Sequence, residues 1–303
     1  MPTPASNAAV ADHALELVWS LWRELGLSGW VGNQPSTGID LEPLIIATSR
    51  LGASDPRLLE EAFDWCLANS KFISAVRLRN LLPSFDLPTQ KAFGDFASTI
   101  KRHRKVAWPG SGSPLRLEIT GRSSAPELAR PALQQLRLRA VFGVSARAEI
   151  LWTMLRQPSR FYVIGELALS TAYGKDNIAD ALELLSMAGV VTRTTMATTG
   201  NRRTYRLDVA PALEALVGQP LPTPDWGARF RLVLALIRLF ADAPESATGR
   251  AAAIVSFLDA AQQDLRRVAT FPHLRRGVEG VNEDFDRWAV GAIRTWANMP
   301  DSG

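Results

Sequence analysis

The residues best equipped for chemistry are cations at the two ends of one stretch of chain. Lys175 and Asn177 stand where an apolar helical repeat begins, and Arg193, Asn201, Arg202 and Arg203 bracket a Gly-Asn turn further on. A guanidinium offers a planar fork of N–H donors that matches phosphate oxygens, and a lysine ammonium adds a point charge. A second concentration is Lys101-Arg102-His103-Arg104-Lys105, with Gln90 and Lys91 at the start of the helix leading to it. His13, His103 and His273 are far apart and show no HxxxH or CxxC spacing, as a metal site requires. Gly110-Ser111-Gly112-Ser113 lacks the Gly-Lys-Ser/Thr ending of a phosphate loop. Glu283, Asp284 and Asp286 lie near a helix start, where acids are expected for dipole reasons. The reading is that of a non-enzyme, with no catalytic residues, no metal and no cofactor.

The elements that must position these cations run from Ala146 to Asp208. Ala148, Ile150, Leu151, Met154 and Leu155 line one side of a helix that Pro158 stops. Phe161-Tyr162-Val163 is short and β-rich, which predicts a small strand. Ile164, Leu167 and Ala168 form a short helical stripe ending near Tyr173-Gly174, and Ile178, Ala181, Leu182 and Leu185 repeat at helical spacing up to Gly189. Val190-Val191 and Tyr205-Arg206-Leu207 then flank Thr198 to Arg203 as a hairpin with Gly200-Asn201 at its tip.

This order resembles the MarR/ArsR-type winged helix-turn-helix transcriptional regulators of prokaryotes. The residues that carry the likeness are Leu182-Glu183-Leu184-Leu185-Ser186-Met187-Ala188-Gly189-Val190-Val191, then Arg193 and Asn201-Arg202-Arg203-x-Tyr205. The resemblance implies that the helix opened by Lys175 and Asn177 reads bases in the major groove. Arg193, Arg202 and Arg203, with Asn201 at the wing tip, would hold the backbone of double-stranded DNA. Asp176 and Asp180 depart from the pattern, because a carboxylate on that face repels phosphate unless it accepts from cytosine.

A degenerate copy of the same pattern lies upstream. A Trp65 helix leads to Lys71-Phe72-Ile73-Ser74, a short helix runs from Ala75 to Leu82, and a longer one from about Pro88 to His103. Val106-Ala107-Trp108 and Leu115 to Ile119, separated by Pro109 to Pro114, read as a second wing. Thr89, Gln90 and Lys91 then open a second recognition helix, and Lys101, Arg102, Arg104 and Lys105 join the phosphate-binding set. Charge supports this copy: the chain as a whole is only +4, yet Lys71 to Trp108 holds eight basic and two acidic residues, whereas Met1 to Ser70 holds three and nine. Focused positive charge raises local affinity for a polyanion.

The expected fold is mainly α with small β-hairpin wings, as tandem winged-helix modules flanked by N- and C-terminal helices. The segments are 1–54, an N-terminal helical or dimerisation segment; 55–122, a winged-helix module; 123–144, a helical connector; 145–210, the winged helix-turn-helix; and 211–303, a C-terminal helical domain. Helices predicted at Trp226 to Ala241, Ser246 to Val268 and about Glu279 to Ala297 carry apolar stripes that make a small bundle or complete one with a second chain. Cys66, the single cysteine, excludes an internal disulfide and reads as a buried packing thiol. Residues 1–7 lack the basic start and apolar run of a signal peptide, and Phe230 to Phe240 is too short to span a bilayer. These features point to a cytoplasmic, sequence-specific regulator of transcription, a homodimeric repressor that binds double-stranded DNA and no membrane, its small-molecule effector, if any, unknown. The rival is a winged-helix protein-interaction module, antitoxin-like or operon-encoded, which Asp176 and Asp180 favour.

Overall fold

Aspartates and prolines set where the chain turns into helix. The structure, a computed structural model, describes residues 4–27, 37–121, 123–196 and 202–297. Asp55 accepts from Leu58 N at 3.1 Å and opens α3 (Pro56–Ala68), with Pro56 in the first turn where no N–H is needed. Asp86 does the same for α5 (Leu87–His103) through Thr89 N at 3.0 Å. Asp225 caps α11 (Trp226–Ala241) at Ala228 N, 2.8 Å, and Ser246 caps α12 (Ala247–Val268) at Gly249 N, 3.1 Å.

One core gathers elements from both ends of the chain. It joins α1 (Pro4–Glu24), α2 (Leu41–Leu51), α3, α4 (Ala75–Leu81) and α5 with α11, α12 and α13 (Val278–Trp296). Helix α1 packs on α11 and α13, and α11 lies between α2 and α12. Three of the buried tryptophans satisfy the indole N–H: Trp22 donates to Thr48 Oγ1 (2.8 Å), Trp65 to Leu25 O (2.7 Å) and Trp226 to Gly38 O (2.7 Å). The apolar stripes of the terminal helices, offered by the sequence reading to a bundle or to a second chain, are thus covered in large part by α1 and α2 of the same chain. Cys66 is fully buried, and desolvation pushes its thiol well above the usual pKa.

A second core holds α6 (Gln134–Phe142), α7 (Ala146–Leu155), α8 (Ile164–Thr171), α9 (Lys175–Met187), β1 (Val191–Met196), β2 (Arg202–Leu207) and α10 (Ala210–Val217). Strands β1 and β2 are antiparallel with Val191 opposite Leu207 and Met196 opposite Arg202. The strand expected at 161–163 is a single bridge, Tyr162 to Tyr205, with N–H···O distances of 2.8 and 2.9 Å. Helix α7, the Tyr162 bridge, α8, α9 and the β1–β2 hairpin follow one another in the order expected from the sequence.

The upstream wing is a correction. Residues 106–108 and 115–119 form no strand; the chain instead lies over α5. Side chains of α5 take its backbone donors: Asp95 accepts from Ser113 N (2.7 Å), Ser98 from Gly112 N (2.9 Å) and Thr99 from Leu115 N (2.8 Å). Trp108 stacks on Phe93 and Phe96, with ring centroids 6.1 and 6.5 Å away. The glycines that suggested a hairpin loop serve close approach. A Cβ on Gly94 would stand 2.6 Å from Ser111 O, and one on Gly112 would stand 2.8 Å from Asp95 N. The fold is therefore mainly α with one small wing, and the tandem arrangement is not seen. Among the described residues no helix is long and apolar enough to cross a membrane.

Candidate nucleic-acid interface

Burial of one stripe decides what α9 shows to its surroundings. Ile178, Ala181, Leu182 and Leu185 face the core, which leaves Lys175, Asp176, Asn177, Asp180, Glu183, Leu184 and Met187 exposed. Lys175 and Asn177 therefore stand in the open at the first turn. Three carboxylates share the helix's exposed surface with a single cation, and Met187 is 79% exposed. Helix α9 has no side-chain cap at Gly174, so its first N–H groups are unused by any cap.

The hairpin turns its cations outward. Arg193 is opposite Tyr205 and Arg203 is opposite Thr195, so Arg193 and Arg203 are diagonal neighbours on one face, about 7–8 Å apart at Cα. That face continues into the buried Val191, Tyr205 and Leu207, which fix the wing to the helices. Arg202 and Arg206 lie on the other face, where Arg206 pairs with Asp208 at 3.1 Å and lies over Phe161. Arg193, Arg202 and Arg203 are exposed. Asn201 lies outside the described residues.

The upstream candidates are arranged differently. Gln90 turns its amide back onto Phe85 O at 2.7 Å, and Thr89 is buried, while Lys91 is exposed. Lys101 donates to Gly110 O (2.7 Å) and Arg104 to Leu67 O (2.6 Å), so both hold the chain's own backbone. Arg102 and Lys105 are exposed beside them. With no hairpin there, these cations decorate a helix end rather than a wing.

Sequence reasoning missed a buried polar junction between the two cores. Glu42 of α2 accepts from Arg139 of α6 at 2.7 and 2.8 Å, from Ser74 N at 2.8 Å, and from Arg77 of α4. Arg139 also reaches Glu149 of α7 (2.7 Å) and Phe72 O (2.7 Å), and Arg77 pairs with Asp40 at 2.6 and 2.7 Å. Burial raises the Asp40 pKa, but the Arg77 guanidinium, its hydrogen bonds and Arg139 outweigh this and leave it below the ordinary value. Burial likewise works against the charge of Arg77, yet Asp40, Glu149 and Glu42 carry its pKa well above normal. The junction then reaches the winged helix at one turn. Arg77 Nε donates to Thr171 O (2.9 Å), Asn80 donates to Ala172 O (2.9 Å), and Tyr173 OH meets Ser74 Oγ at 2.9 Å. Ala172 sits in the left-handed region, φ 55°, an uncommon conformation for a residue with a Cβ. The α8–α9 turn is thus clamped to α4. The signal in the sequence was a lone acid inside an apolar run, Glu42 before Pro43-Leu44-Ile45-Ile46 and Glu149 between Ala148 and Ile150-Leu151.

Compared with protein-family models, with curated proteins and with solved structures, the chain finds no match. The likeness to winged-helix regulators is therefore one of element order and surface chemistry.

Proposed function

We propose that this chain is a cytoplasmic, sequence-specific regulator of transcription that binds double-stranded DNA through its winged helix, as a dimeric repressor. The observation that carries the reading is the exposed arginine pair Arg193 and Arg203 on one face of a hairpin anchored at the end of α9. Arg202 adds charge at the same end of the wing. Phosphate contacts dominate the affinity of such an interface, and base reading falls to Lys175 and Asn177, because Asp176, Asp180 and Glu183 would repel phosphates further along the helix.

The test is a binding titration on duplex DNA across a range of salt. Replacing Arg193 and Arg203 together with Ala should weaken binding on every sequence and flatten the salt slope by about 1.8, the value for two lost phosphate contacts. Unchanged affinity in low salt would refute the wing's role. Sedimentation of the chain with and without a duplex checks the dimer, and a monomer in both would refute it.

A second reading, docking of a partner protein, is favoured by Leu184 and Met187, which are 52% and 79% exposed beside Glu183. A Leu184→Glu, Met187→Glu variant that loses a partner recovered from the source cell while keeping DNA affinity would favour this reading.

A further inference from the structure

A cleft of about 1020 Å³ opens between the winged helix and the helical body. Its walls are α4, α7, α8, the α8–α9 turn, the start of α11 and α12. That volume matches the upper range of small-molecule sites, about 300–1,000 Å³. Five arginines line it, and three of them have carboxylate partners: Arg77 with Asp40, Arg231 with Asp264 (2.5 Å) and Arg267 with Asp225 (3.4 Å).

Arg156 and Arg79 differ: neither has a carboxylate within 4.0 Å among the described residues. Arg79 is exposed at the mouth, whereas Arg156 is half-buried. The guanidinium of Arg156 lies over the Trp152 ring, 4.7 Å from its centroid, and makes only long bonds of 3.4 Å to Thr223 O and Thr153 Oγ1. It also lines a second cavity of about 560 Å³. Desolvation lowers its pKa despite the more distant charge of Asp40, Tyr162 and Glu149. A guanidinium held in this way lacks the one thing it binds best, an oxyanion that takes two parallel N–H bonds.

We propose that this cleft binds a small organic oxyanion, a carboxylate or a phosphate ester, whose charged group is held by Arg156 with Arg79 closing over it. Leu169 of α8, which is exposed, offers apolar surface to the organic part. A ligand seated there touches α7 and α8 on one side and α4 and α12 on the other. It also contacts the turn whose carbonyls Arg77 and Asn80 already hold, so binding fixes the angle between α9 and the body. This last consequence rests on the DNA-binding reading, and the binding site itself does not.

The test is thermal unfolding of the full chain, titrated with sodium phosphate or sodium acetate against sodium chloride at equal ionic strength. At least one of the two oxyanions should raise the melting temperature saturably, and chloride should not. Arg156→Met should weaken the apparent affinity at least tenfold and Arg79→Ala severalfold. The phosphate and acetate arms distinguish the two ligand classes. No saturable effect of either oxyanion, or an equal effect in Arg156→Met, would overturn the proposal. Should Arg156→Met fail to fold, a crystal soaked in selenate decides: an anomalous peak within hydrogen-bond distance of Arg156 supports the site, and peaks found only elsewhere refute it. None of these measurements involves DNA, so their failure would leave the wing reading untouched.

Discussion

Removing Arg139 should cost far more than removing a carboxylate from the same junction. Two guanidiniums, Arg77 and Arg139, meet three carboxylates, Asp40, Glu42 and Glu149, so the cluster carries an excess of one negative charge. Arg139 is fully buried and makes bonds of 2.7 Å to Glu149, 2.7 and 2.8 Å to Glu42, and 2.7 Å to Phe72 O. Arg139→Met fills the space of the stem but leaves Glu149 with Gln135 at 3.0 Å and Arg77 at 3.6 Å. It also doubles the excess negative charge among side chains that are almost fully buried. Breaking a buried pair from one side costs about 3–5 kcal/mol. Asp40→Asn acts in the opposite direction. It brings the cluster to neutrality at an edge where Asp40 is 15% exposed, so water can take the spare amide donor. The cost there is one charge-assisted hydrogen bond, about 1.5–3 kcal/mol, less what the charge balance returns.

Urea unfolding followed by tryptophan fluorescence measures both variants. A difference of about 2 kcal/mol or more between them, with Arg139→Met the less stable, is expected. Equal losses, or an Arg139→Met loss under about 1 kcal/mol, would refute the idea that excess buried charge governs this junction. Acid gives an independent check. Because the folded Asp40 pKa is depressed, its stabilising contribution is complete above the unfolded value of about 3.9 and disappears as pH falls through the folded value. Wild-type stability should therefore drop below about pH 4, and the part of that drop that belongs to Asp40 should be missing in Asp40→Asn.

Other positions give shorter tests. Gly112→Ala should destabilise by about 1–3 kcal/mol, because its Cβ would press on the backbone of α5 at Asp95 N, 2.8 Å away; a neutral result by urea unfolding would mean the loop can lift off α5. Asp55→Ala removes both the cap on Leu58 N and the acceptor for Trp19 Nε1 at 2.7 Å, for a loss of about 1–3 kcal/mol by the same measurement. Arg229 has no carboxylate partner among the described residues and lies between Trp226 and Trp296, its pKa pushed down to about 10 by desolvation. Arg229→Met should consequently change stability by less than about 1 kcal/mol, and a larger loss would show that the cation–π contacts outweigh the desolvation.

What could be read from the sequence depended on how local the determining interactions were. The helices and hairpin between 146 and 208 were legible because each boundary has a nearby cause: Pro158 beyond α7, Gly189 after α9, and strand-forming residues on both sides of the wing. Fold class followed from the same periodicities. The upstream wing was misread because Gly110 and Gly112 are compatible both with a hairpin turn and with a backbone lying against a helix. Only the side chains of Asp95, Ser98 and Thr99, on the helix before the loop, decide between them.

The junction was illegible for a different reason. Arg139 and Glu42 are 97 residues apart and Arg77 and Thr171 are 94 apart, so no local pattern links them. The local mark they left was an acid inside an apolar run, at Glu42 and at Glu149, which names no partner. The consequence for function is physical. The turn before α9 is held by Arg77 and Asn80 of α4 together with its own Tyr173, which meets Ser74 Oγ, and Ala172 there is left-handed. The turn that opens α9 is therefore tied to the helical body, while α9 itself packs on α7, α8 and β1.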